Sequence, residues 1–127
     1  MHSTNYRETL ITVSADCPAT AATPPTRSET IAGHQYSMLK DAPYRMTSDE
    51  LLLAVENVRK GHVSAVDFFS SPKACLRASP LVKSHGFGLH HDAHGKIALI
   101  PMESGEYARL LVDPAVKKRP GMRSKRS

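Results

Sequence analysis

Histidines and one carboxylate crowd a short stretch of this chain as His85, His90, His91, Asp92 and His94, so that four of its seven histidines lie together. Alternate residues of an extended backbone share a face, which puts His90 and Asp92 side by side. If the following turn leaves His94 on that face, two imidazoles and a carboxylate make a small ligand set suited to zinc or a similar ion. The same pair, His90 and Asp92, has the residue types of a general acid and base. Against both stands the run Asp92-Ala93-His94-Gly95, which has hairpin-turn composition, with an Asp whose ordinary duty is to accept backbone N–H bonds. That duty accounts for Asp92 and Gly95 at once. Metal binding by His90, Asp92 and His94 is therefore the secondary reading, and no cofactor is expected.

A second constellation is cationic. Arg77, Lys83 and Lys96 flank Ser79-Pro80, a helix cap followed by proline at the first helical position. Backbone N–H groups at such a start attract an anion when cations converge on them. The candidate ligand-binding set is Arg77, Ser79, Lys83, His90 and Lys96, holding a small anionic ligand or a protein partner. Ser79 lacks the G-x-S-x-G surroundings of an acyl-transfer nucleophile. Cys17 and Cys75 have no local nucleophile signature and read as free, partly buried thiols of a reducing compartment. No catalytic residue is assigned, and the leading reading is a non-enzymatic binding module.

Charge distribution bears on the partner. The 127 residues hold 17 Lys and Arg against 12 Asp and Glu, a net charge of +5. Six of the cations and no acid follow Pro114 (Lys117, Lys118, Arg119, Arg123, Lys125, Arg126), so residues 1–113 carry 11 against 12 and a net of −1. The basicity belongs to the end of the chain. Nucleic-acid binding through this segment, blind to sequence, is the third reading, and it ranks below a solubilising end because the interleaved aromatics that stack on bases are lacking. With little apolar surface to bury, the segment is expected to be disordered beyond Val116, leaving residues 1–116 as one domain and 117–127 as a basic tail. No apolar run approaches the roughly 20 residues of a membrane span, so no membrane partner is expected. A charge pair early in MHSTNYRETL replaces the apolar core of a secretory signal, which points to the cytoplasm.

The elements that must position these residues follow from pattern. Residues 9–13, TLITV, are apolar and β-branched and predict a strand. The run from Cys17 to Ser28, rich in Pro, Thr and Ala, predicts a surface loop. Residues 30–44 show Ile31, Tyr36, Met38 and Leu39 without a clean period, so strand and short helix both fit up to Pro43. Thr47 to Glu50 is a capping box, and Leu51, Leu52, Val55 and Val58 make one stripe of a helix from Ser48 to Lys60, with Gly61 as a left-handed stop. A short helical turn follows near Phe68 and Phe69, and Cys75 to Ala78 reads as a strand. Gly86-Phe87-Gly88 suggests a bend that packs Phe87 inward. Residues 87–91 and 96–102 then form a hairpin, and Ile97 to Ile100, apolar on both faces, predicts a central strand. Ser104 caps a last helix through Tyr107, Leu110 and Leu111. The fold class is α+β, a small antiparallel sheet with helices on one face in a single domain.

Several of these segments also carry a resemblance. His2, Thr4, Asn5 and Tyr6, the step Asp16-Cys17-Pro18, Pro43-Tyr44 before Thr47-Ser48-Asp49, and Arg77-Ala78-Ser79-Pro80-Leu81 with Lys83 resemble a small bacterial family described as a domain of unknown function. The likeness continues through Gly86-Phe87-Gly88, His90, Gly95 to Leu99, Glu103-Ser104, Glu106-Tyr107 and Met122 to Arg126. It implies a stand-alone bacterial protein of the cytoplasm and lends no activity. His91 and His94 lie outside its pattern, and Trp is common where this chain has Phe87. This weakens the metal reading further.

Overall fold

In the computed structural model, residues 2–124 are described. Lys125 and Arg126, the last two cations of the basic run, lie outside them. Strand β1 (Thr9–Thr12) is the apolar, β-branched TLIT segment, and it sits inside a four-stranded sheet of order β3-β2-β1-β4. Strands β2 (Phe87–His91) and β3 (Ile97–Pro101) are the expected hairpin, in register from Phe87 opposite Pro101 to His91 opposite Ile97. Its turn works as the composition requires. Asp92 Oδ1 accepts from the backbone N–H groups of His94 at 2.8 Å and Lys96 at 2.9 Å, and Gly95 takes the positive φ of 76°.

Period-two alternation gives the sheet two apolar faces. Ile11, Phe87, Leu89 and Ile97 pack with Leu39 of helix α1 (Ile31–Leu39), Leu51 and Val55 of α2 (Ser48–Lys60), and Leu81 and Val82 of α4 (Pro80–Lys83). On the other face Leu10, Ala98 and Ile100 pack with Tyr107 and Leu110 of α5 (Gly105–Val112) and with Val116. A short α3 (Ala65–Phe68) buries Phe68 beside Phe69 at the periphery. Each fully buried Leu or Ile contributes about 1.5–3 kcal/mol. The α2 start is the full capping box: Thr47 Oγ1 accepts from Glu50 N while Glu50 Oε1 accepts from Thr47 N. Ser104 likewise caps α5, and the Tyr107 hydroxyl accepts from Val13 N at 3.0 Å, tying that helix to the end of β1.

The α+β class and the single domain hold, the open choice at residues 30–44 resolves, and five expectations are corrected, the fifth in the basic segment. Residues 31–39 resolve as helix, capped by Thr30, with Ala32, Gln35 and Leu39 on the buried stripe. Leu76 to Ala78 is a 3-10 turn rather than a strand, because Pro80 and the Ser79 cap draw the chain into the next helix. The sheet is mixed, since β4 (Lys117–Pro120) runs parallel to β1, and it has helices on both faces, since α5 packs on Leu10, Ala98 and Ile100 opposite α1, α2 and α4. Strand β3 lies at the edge of the sheet, not its centre; its apolar character comes from burial on both faces, and the Tyr44–Thr47 segment covers it through Tyr44 N to Ile97 O and Ile97 N to Met46 O, each 2.9 Å. Gly61 does end α2 at positive φ, but at ψ −166° it is outside the left-handed helical region.

Most consequential is the basic segment. Where disorder was expected beyond Val116, residues Lys117, Lys118, Arg119 and Pro120 pair with Thr9, Leu10, Ile11 and Thr12. Beyond them Gly121 N donates to Thr12 O at 2.9 Å, Met122 N to Arg77 O at 2.7 Å, and Ser14 Oγ to Met122 O at 2.7 Å. Among the described residues no helix is long and apolar enough to cross a membrane.

Gly121 tests this stitching. A Cβ there would lie 2.6 Å from Ser14 Oγ and 2.9 Å from both Thr12 O and Val82 Cγ2. Gly121→Ala should therefore lower unfolding free energy in urea by about 1–3 kcal/mol, the range for overpacking. An unchanged midpoint would mean that the segment is not seated against β1.

Candidate functional site

Alternation along β4 sorts its cations. Lys118, opposite Leu10, faces the α5 side, where its Nζ donates to the carbonyl oxygens of Asp113 and Val116. Lys117 and Arg119, opposite Thr9 and Ile11, face the α1 and α2 side. Arg77 arrives at the same place from the 3-10 turn, its Nε donating to Pro120 O at 2.7 Å. Arg77 and Arg119 both act electrostatically on the Tyr6 hydroxyl, whose pKa is raised chiefly by burial and by the Cys75 thiol it donates to, with the two guanidiniums opposing. Among the described residues, neither Lys117, Arg119 nor Arg77 has an acidic partner within ion-pair distance. One bond to Pro120 leaves most of the five guanidinium donors of Arg77 available.

The structure divides the remaining candidates. Ser79 is buried near Arg77 in sequence but turned into the body, its Oγ accepting from Leu81 N at 3.1 Å and donating to Gln35 Oε1 at 2.6 Å. Lys83 closes α4 without an ion pair among the described residues. Lys96 is elsewhere, at the hairpin turn, with Nζ 3.7 Å from Glu50 and 3.3 Å from Arg45 O. His90 is on the opposite face of the sheet, where its Nδ1 lies 2.8 Å from the Tyr44 hydroxyl. Its Nε2 is sealed with no partner among the described residues. Burial lowers the His90 pKa while the Glu106, Asp92 and Glu8 carboxylates oppose that, and Tyr44 is raised first by burial and then by Glu106 and Asp92. Tyr44 holds a positive φ of 60°, costly for a bulky residue and retained where its N–H covers β3 and its hydroxyl meets His90.

Asp92 does not join His90, because its Oδ1 is engaged by its own turn. Among the described residues no three His, Cys, Asp or Glu side chains gather as a metal-binding group. His91, one residue on, points to the α1 and α2 face with no exposure, its ring edge-on to Tyr6 at 5.5 Å and neither nitrogen bonded. Desolvation, helped by His90 and opposed by Asp92, lowers its pKa to about 4. Three candidate residues, Gln35, Lys117 and Arg119, were not singled out as a site from the sequence. Gln35 carries its signal in the 32, 35, 39 spacing of buried residues in α1. The facing of Lys117 and Arg119 has none, because it depends on a strand partner more than a hundred residues away.

Comparison with known protein families gives a match along the chain. A model described as a family of unknown function (DUF6157) covers residues 1–127. No curated protein matches the chain, and no solved structure does.

The unbonded His91 makes stability depend on acid. Its folded pKa of about 4 lies below the ordinary value of 6.5, so the unfolded chain binds the extra proton first. Stability is complete above pH 6.5 and falls as pH drops toward 4, by roughly 3 kcal/mol for this residue. His91→Leu should shrink the difference in urea stability between pH 7 and pH 4.5 by about 2 kcal/mol. An unaltered difference would show that His91 is protonated or bonded in the fold.

Proposed function

Since the chain belongs to the DUF6157 family, whose description carries no activity, the reading has to come from its own residues, and we propose a non-enzymatic binding module that holds an anionic partner on the face made by Arg77, Lys117 and Arg119. One observation carries it: the 2.7 Å bond from Arg77 Nε to Pro120 O gathers a body cation and two strand cations on one side of the sheet, with no acid paired to any of them among the described residues. Like charges side by side repel, and an oxyanion bridging them removes the repulsion. Arg presents a planar fork that suits carboxylate or phosphate oxygens.

The partner is held by side chains rather than by an added strand. On the outer edge of β4, Pro120 has no N–H and its carbonyl is occupied by Arg77, so the ladder a new strand needs is broken. Of the earlier candidate set, Arg77 belongs to this face, Lys83 is a neighbour along the chain, and Ser79, His90 and Lys96 serve the fold elsewhere. We place the protein in the cytoplasm, where Cys17 and Cys75 remain free thiols.

A single-stranded oligonucleotide serves as the polyanion probe, with affinity measured against salt. Lys117→Glu with Arg119→Glu should weaken binding at least about tenfold and lower the log–log salt slope by about 1.4, at roughly 0.7 per lost cation. Arg59→Glu, on the exposed part of α2, should leave the slope within a few tenths. Equal slopes for the double variant and the parent protein would remove this face from the account.

A further inference from the structure

Beside α1 lies a cleft of about 240 Å³, lined by Ile31 and Gln35 of α1, Leu52 of α2, and the chain from Ala74 to Pro80 with Arg77 excepted. Its lining is aliphatic apart from Gln35, Ser79 and the Cys75 thiol, and it includes no Lys, Arg, His, Asp or Glu. Arg77, though its neighbours Leu76 and Ala78 line the cleft, sends its guanidinium away to Pro120. The cleft is therefore distinct in chemistry from the cationic face.

Its polar end is oriented. Leu81 N donates to Ser79 Oγ, and the hydroxyl donates to Gln35 Oε1 at 2.6 Å, with the amide nitrogen turned away from that pair. Gln35 is only 2% exposed, yet its Nε2 has no hydrogen-bond partner among the described residues and is not one of the fully sealed unbonded atoms. What little of Gln35 is accessible therefore includes a free amide donor, in a residue that lines this cleft. A donor with so little access to water gains when a bound acceptor takes its hydrogen. Ile31, 40% exposed at the rim, adds apolar surface that an occupant would cover.

We infer that this cleft binds a small uncharged molecule with an apolar body and one carbonyl oxygen, which accepts from Gln35 Nε2. A charged ligand is disfavoured because nothing in the lining would pair with it, and an ion seated there loses hydration without compensation. Size follows from volume: a cavity of about 150 Å³ takes benzene, so about ten non-hydrogen atoms fit here. Cys75 is a lining residue with a free, partly buried thiol that accepts from the Tyr6 hydroxyl, and an occupant that hinders access to that thiol would slow its alkylation.

The test uses the full chain carrying Cys17→Ser, with three probes of similar shape: acetophenone, ethylbenzene and benzoate. Acetophenone should slow iodoacetamide labelling of Cys75 at least about threefold at millimolar concentration and bind about tenfold more tightly than ethylbenzene, while benzoate gives no protection. Gln35→Met, similar in length but without the amide, should erase the preference for acetophenone over ethylbenzene. If that variant fails to fold, Ala74→Phe, which fills the cleft without touching the Gln35–Ser79 pair, should abolish protection by acetophenone. No protection by acetophenone in the parent protein, equal affinity for acetophenone and ethylbenzene, or protection that survives Ala74→Phe would overturn the inference. None of these outcomes depends on the oligonucleotide probe, so this site and the cationic face stand or fall separately.

Discussion

A strand buried on both faces and in the middle of a sheet has no water for either row of its backbone groups. Strand β1 is in that position: Leu10 and Ile11 are both without exposure, one facing α5 and the other facing α1 and α2. Its first row pairs with β2. The second row must pair too, because each unmet buried N–H or C=O costs free energy on the scale of a lost hydrogen bond. The segment that meets it is Lys117 to Pro120, the least apolar of the four strands among the described residues. Backbone satisfaction outranks composition here, and the cationic face is a consequence of it.

Charge shapes how that pairing is tolerated. Lys118 lies on the side of α5, and its ammonium is accommodated by the Asp113 and Val116 carbonyls just past the helix end, where the helix dipole is negative. Lys117 and Arg119 stay at the surface on the other side. Pro120 and the Arg77 bond blunt the outward edge, a common way to stop a sheet recruiting strands from other chains. At the far edge, Tyr44 to Thr47 does the same for β3 at the cost of a strained Tyr44.

Local signals were readable wherever the deciding contacts are local. The capping box at Thr47, the Ser79-Pro80 start, the Asp92 to Gly95 turn and the Ser104 cap each involve partners within four residues, and all occur as the residue types require. Long-range facts were hidden. Nothing in KKRP announces a strand, since its partner is the row of β1 that β2 leaves open. A hairpin arm apolar on both faces reads equally as centre or covered edge, and β3 is the covered edge. The candidate site was half visible: Arg77 and Ser79 were singled out, but adjacent residues went to different environments, and Gln35 and Arg119 came to them from distant segments. His90 and Lys96 drew notice through residue type and are held by Tyr44 and Glu50.

Amide hydrogen exchange at Lys117 and Gly121 reports whether the basic segment closes the open row of β1. Lys117 N donates to Glu8 O at 2.8 Å and Gly121 N to Thr12 O at 2.9 Å, so both bonds exist only if the basic segment is a strand of the sheet. Protection at these two amides within about tenfold of that at Leu89, in the centre of β2, is the predicted result, because elements that open together exchange together. Exchange at the rate of an unstructured peptide, with Leu89 still protected, would mean that β1 has an open edge and that the cations of Lys117 and Arg119 are not held beside Arg77.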